Sequence, residues 1–131
     1  MTAPTSRPLS PHLTIWKWGP HMLASILSRG TGIALTIAGL ALLIWWLLAI
    51  ANGAEAYEQF AAISTHPFGL FVLVGTTWAF WQHTFSGLRH LFLDMGAGYE
   101  LKTNKLFAVL VIAAALLATA ATWFVLMGVG R

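Results

Sequence analysis

Cysteine is absent from the 131 residues. That excludes a disulfide framework, a C-x-x-C-H haem attachment site and an iron–sulfur cluster held by this chain alone. Charge is nearly as scarce, at 8% of residues, with four acidic and seven basic side chains. Soluble domains carry about 25% charged residues. A net charge of +3 and a pI near 9.8 would suit a nucleic-acid binder, but the basic residues are scattered rather than clustered, which excludes that class. A secretory signal is also lacking: Met1 to Pro11 is polar and proline-rich, with no apolar core before a small-residue cleavage site. The first hydrophobic helix is therefore expected to do its own targeting. No internal repeat or linker interrupts the chain, which reads as one domain over 1–131.

What is present is apolar. Hydrophobic residues make up 58% of the chain and mean hydropathy is +0.75. A short chain has too little interior to hide that much apolar surface from water. Lipid as solvent removes the difficulty. A hydrocarbon core about 30 Å thick needs about 20 apolar residues of helix, and three runs qualify. Gly30 to Ala54, Gln59 to Leu88 and Leu106 to Gly130 contain no Asp, Glu, Lys or Arg. Open sheets in lipid would leave backbone groups unpaired. The expectation is an all-α membrane protein with three transmembrane helices, near 22–51, 67–94 and 104–128, joined by loops near 52–66 and 95–103. Pro67 suits a first helical turn.

Arg7, Lys17 and Arg29 precede or open the first helix, and Arg89, Lys102 and Lys105 surround the second loop. The first loop carries only Glu55 and Glu58, and Arg131 stands alone at the far end. Basic residues stay on the cytoplasmic side, so the N-terminus is expected in the cytoplasm. Trp16, Trp18, Trp45, Trp46 and Trp123 fall near the expected interfaces, as anchoring aromatics do.

Ionisable groups inside a span are costly and mark candidate function. The second helix holds His83, Ser86, Gly87, Arg89, His90 and Asp94. At 100° per residue, the seven steps from His83 to His90 and the eleven to Asp94 both return within about 20° of the start. Gly87 lies on the same stripe, where it lets a flat group or a helix approach closely. His83 lies about 10 Å deeper than His90 along the helix. A neutral imidazole in an apolar site is a good axial ligand for haem iron. Two histidines on one face of one helix cannot clamp one haem, and His66, His12 and His21 fall near the membrane surfaces, so a second ligand is expected from a partner subunit. From spacing alone, a hydrogen bond from His83 to a neighbouring helix stays open. Ser25 and Arg29, four residues apart, share a face of the first helix. A hydroxyl and a guanidinium can hold a carbonyl oxygen and stabilise negative charge on it, as a quinone headgroup requires. Snorkelling of Arg29 to a lipid phosphate is the plainer alternative. Asp94, at similar depth, is a candidate ion-pair partner of Arg29 or Arg89.

These residues sit in two recognisable segments. Arg7-Pro8-Leu9-Ser10-Pro11-His12 and Ser25-Ile26-Leu27-Ser28-Arg29-Gly30-Thr31-Gly32 resemble the start and first helix of the cytochrome b subunit of succinate dehydrogenase, the larger membrane anchor of respiratory complex II. His83 to Gly96 resembles its second-helix pattern, H-x-x-x-G-[IL]-R-H-x-x-x-D-x-G. The resemblance implies that His83 is an axial ligand of a haem b shared with the smaller membrane-anchor subunit. It implies that Ser25 and Arg29 line a ubiquinone site beside the iron–sulfur subunit, with His90, Asp94, Arg89 and Ser28 near the haem edge or quinone. It implies that a flavoprotein subunit completes a complex that oxidises succinate and reduces ubiquinone, this chain having no activity alone. The family usually has histidine at the position of Ser28, supporting the haem propionates, so a weaker propionate clamp is expected here. The short N-terminus without an Arg- and Ser-rich presequence favours a bacterial inner membrane over a mitochondrial one. Rival readings are a fumarate reductase anchor, a haem-free structural anchor, and a small transporter subunit, the last poorly supported by unbroken helices.

Overall fold

The computed structural model describes residues 15 and 17–129. The Arg7–His12 segment, Trp16 and Arg131 lie outside them. The described chain is helical almost throughout. Helix α1 (Pro20–Ala34) opens with proline at its first position, where the missing N–H costs nothing. One π-helical turn (Leu35–Gly39) carries it into α2 (Leu40–Ala51), making one apolar rod, Pro20–Ala51. Asn52 caps the rod by donating to the Leu48 carbonyl at 2.7 Å, and Gly53 turns the chain at φ 96°.

The connection expected as a loop near 52–66 contains a third helix, α3 (Ala54–Thr65). Its Phe60 ring meets Trp45 of α2 edge-on at 4.7 Å. His66 then caps α4 (Pro67–Asp94), accepting from the Phe68 N–H at 3.4 Å. Helices α3 and α4 meet at 81°. Helix α4 ends in a Schellman motif. Gly96, at φ 81°, donates to Leu93 at 2.8 Å, and the Ala97 N–H donates to Phe92 at 3.2 Å. A short turn leads into α5 (Leu101–Val129).

Two of these helices, Pro20–Ala51 and Leu101–Gly128, are long and apolar enough to cross a membrane. Helix α4 reaches that standard only together with α3, because Gln82, His83, Arg89, His90 and Asp94 dilute its apolar run.

The rod, α4 and α5 pack into a bundle whose seam is small and polar rather than large and apolar. Ala24 and Thr31 of α1 are buried against Ala79, Gln82, Ser86 and Arg89 of α4 and Ala108, Ala115 and Thr119 of α5. The 3-4-3 spacing on α4 is a coiled-coil seam. Lipid gives no hydrophobic drive between helices, so small residues that allow close backbones do the packing. The large side chains point outward: Ile33, Ile37, Phe71, Leu117 and Phe124 are all exposed. Threonine hydroxyls are satisfied within their own helices, Thr76 to Val72, Thr84 to Phe80 and Thr119 to Ala115 at 2.7–2.8 Å. Trp81 of α4 donates to Thr122 of α5 at 3.0 Å.

Candidate functional site

Helix α4 has two polar faces with different fates. Gln82, Ser86 and Arg89 turn inward, and Gln82 Nε2 donates to Ser86 Oγ at 3.1 Å with no exposure to solvent at all. His83, Gly87, His90 and Asp94, about 100° away, are exposed on the outside of the bundle. A side chain added at Gly87 would meet nothing within 4 Å. The stripe legible in the sequence thus faces away from this chain's own core.

His83 is exposed but not loose. Its Nδ1 lies 3.0 Å from the carbonyl oxygen of Ser28 on α1. A carbonyl only accepts, so Nδ1 is the donor, and in the neutral ring that leaves the lone pair on Nε2. Thr31, buried in the seam, donates to the Leu27 carbonyl at 2.6 Å and to the same Ser28 carbonyl at 3.2 Å. Gly32 lies directly under the imidazole. His83, Ser28, Arg29, Gly32, Ile33, Thr36 and Ile37 line one open cleft of about 620 Å³. The π-helical turn supplies Thr36 and Ile37 to it. Arg29 is exposed at this cleft, and Ser25, one turn back on α1, is half-buried. The sequence left two readings of His83 open, iron ligand or interhelical hydrogen bond. The hydrogen bond is present, and it engages Nδ1.

The family described as "Succinate dehydrogenase/Fumarate reductase transmembrane subunit" matches residues 3–122. The chain belongs to that family. Among curated proteins it is 40% identical over 97 residues to the succinate dehydrogenase cytochrome b556 subunit of Paracoccus denitrificans, covering 74% of each chain. It is 36% identical over 117 residues to the cytochrome b556 subunit of Rickettsia felis, covering 89% of this chain and 90% of that one. The human mitochondrial cytochrome b560 subunit is 37% identical over 105 residues, 74% of this chain and 58% of that protein.

Within this transmembrane-subunit family member, the remaining candidates are distributed as follows. Arg89 is 8% exposed, turned into the bundle, and donates through Nη2 to Asn104 Oδ1 at 2.8 Å, while its Nε is buried without a partner. It sits about 120° around α4 from His83. Asp94 and His90 stay on the outer face, and among the described residues no ion pair joins Asp94 to Arg29 or Arg89. His66 is engaged at the α4 cap. Ser28 contributes its backbone, not its hydroxyl, to His83. Sequence reasoning gave no role to Gln82, Thr31 or Asn104, nor to the close approach of Gly32 to the imidazole. Gln82, Ser86 and Arg89 follow a readable heptad seam. The Ser28 carbonyl carries no side-chain signal.

Proposed function

We propose that this chain is the larger membrane-anchor subunit of a succinate:ubiquinone oxidoreductase, supplying one axial ligand to a b-type haem and part of the ubiquinone-reduction site. The observation that carries the reading is the His83 imidazole, oriented by the Ser28 carbonyl so that Nε2 is free on an exposed face beside Arg29. The names of the relatives, cytochromes b556 and b560 of succinate dehydrogenase, agree with it.

The residues present fit a haem. His83 would hold the iron through Nε2, and Gly87, one turn along, leaves open space on the same face for a flat group. The second ligand would come from the smaller anchor subunit, since among the described residues no other histidine lines the cleft. The bound haem would supply a one-electron redox centre close to the quinone.

Ser25 donates a hydrogen bond to one quinone oxygen, and the permanent cation of Arg29 stabilises negative charge as that oxygen is reduced. Electrons reach the quinone from the iron–sulfur subunit, which is served in turn by the flavoprotein subunit. His90 and Asp94, on the same outer face as His83, support the haem edge or the quinone, and protons enter from the cytoplasmic side. Helix α4, about 42 Å long at 1.5 Å per residue, is the third span of a single membrane-anchor domain. Its polar outer stripe is tolerated in the bilayer because a partner covers it. The N-terminus and the α4–α5 turn face the cytoplasm, with Lys102 and Lys105, and α3 lies outside with Glu55 and Glu58. The location is a bacterial inner membrane.

The test is a dithionite-reduced minus oxidised spectrum of the purified complex, wild type beside His83→Ala. A b-type band that weakens or shifts in the variant supports the ligand assignment. An unchanged band in the variant places the ligand elsewhere.

A further inference from the structure

We propose that Gly32 and the Ser28 carbonyl form a seat that positions His83, and that the absent side chain at Gly32 is the feature that lets the imidazole lie on α1. The inference rests on the haem-ligand reading of His83 and adds to it the residue that sets the ring's orientation and hydrogen bond.

A β-carbon built at Gly32 would lie 2.9 Å from His83 Cε1 and 3.3 Å from Nδ1. The first distance is shorter than carbon atoms tolerate, so either the ring or the helix must move. Gly30, two residues earlier on the same helix, provides the contrast: a β-carbon there meets nothing within 4 Å. The close approach is therefore a property of position 32, not of a glycine-rich helix. The imidazole has little freedom to retreat while keeping Nδ1 at 3.0 Å from Ser28 O, because the carbonyl and Gly32 belong to consecutive turns of one rigid helix. Thr31 completes the seat. Its hydroxyl donates back to the Leu27 and Ser28 carbonyls from a buried position, and such back-bonding often bends a helix.

The chemistry at stake is the donor strength of Nε2. A histidine whose Nδ1–H is held by a carbonyl is a more basic ligand and has a fixed tautomer. A stronger donor favours the oxidised iron. Loosening the seat should therefore raise the haem midpoint potential without removing the haem. The seat also lies one residue from Arg29, so the residue proposed to bind quinone and the carbonyl that steers the haem ligand move on the same turn of α1.

The experiment compares wild type, Gly32→Ala, Gly30→Ala and His83→Ala in the intact purified complex. Haem content, redox titration of the b-type band and low-spin electron paramagnetic resonance are read for each. Gly32→Ala should keep wild-type haem content, shift the midpoint potential upward and change the g values. Gly30→Ala should match wild type in all three. A Gly32→Ala complex with full haem and unchanged potential and g values overturns the proposal. His83→Ala separately decides the underlying reading. Should Gly32→Ala fail to assemble, the seat is tested in wild type by electron–nuclear double resonance after transfer to deuterium oxide. An exchangeable deuteron on the ligand's Nδ1 in a strong hydrogen bond supports the seat, and its absence overturns it.

Discussion

Arg89 of α4 donates to Asn104 of α5 at 2.8 Å, next to the turn that joins the two helices. Among the described residues it is the buried charged side chain of the bundle seam, and Asn104 is a neutral partner. Hydrogen bonds to charged groups are worth about 1.5–3 kcal/mol, and removing one partner leaves the other buried and unsatisfied. Asn104→Ala should therefore cost about 1.5–3 kcal/mol of stability. The double variant Arg89→Met, Asn104→Leu, which removes both polar partners, should recover most of that loss. Thermal unfolding of the purified complex checks the order. An Asn104→Ala complex as stable as wild type would mean that Arg89 is satisfied through another group.

Arg29→Leu should abolish ubiquinone reduction while sparing succinate oxidation by an artificial dye. Removing one donor from a site that stabilises developing oxyanion charge costs about 10²–10³ in rate. Ser25→Ala removes a single neutral hydrogen bond, worth about 1 kcal/mol, and should have a milder effect. Paired quinone and dye assays on the same preparation make the comparison. Quinone reduction retained in Arg29→Leu removes this residue from the mechanism and returns it to the role of a lipid-facing arginine.

The bend between α3 and α4 depends on Gly69. A β-carbon there would overlap the Ile63 carbonyl oxygen and come within 2.7 Å of that of Ser64. Both are backbone atoms of α3 and cannot step aside. Gly69→Ala should cost about 1–3 kcal/mol, as overpacking does. Gly75→Ala, on the same helix with nothing within 4 Å, should be neutral or gain up to about 1 kcal/mol from helix propensity. Thermal unfolding and protease access to the 52–66 connection report on both. Equal stability of the two variants would contradict the close approach.

What was legible in the sequence follows from what hydropathy and periodicity encode. The uncharged runs mark the apolar helices, and the spacing of His83, Gly87, His90 and Asp94 marks a shared face. Periodicity does not say which face packs. Here the seam of Ala79, Gln82, Ser86 and Arg89 is the inner one: Ala79 and Ser86 allow α1 and α5 to approach, and Gln82 and Arg89 are buried between them. Helix α3 was hidden because its run, Ala54 to Thr65, is short and moderately polar. Gly53 and Pro67 bracket it as punctuation. The seat of His83 was not legible at all. It joins a side chain to a backbone carbonyl 55 residues earlier, and no residue type announces a carbonyl.

Ser28 separates two effects that a substitution usually mixes. Its carbonyl lies 3.0 Å from His83 Nδ1, and its side chain occupies the position at which the family resemblance implies a histidine supporting the haem propionates. Ser28→Ala keeps the carbonyl and removes only a hydroxyl, so it should leave the haem midpoint potential where it is. Ser28→His keeps the carbonyl and adds a group able to carry positive charge in a cleft that already holds Arg29. A cation near the haem favours the reduced, less positive iron, so the potential should rise, and more so at pH values below the histidine's own titration. Redox titration of the three complexes at two pH values settles the matter. An unchanged potential in Ser28→His would show that this position does not face the propionates here. A changed potential in Ser28→Ala would show that the hydroxyl, and not only the carbonyl, reaches the haem environment.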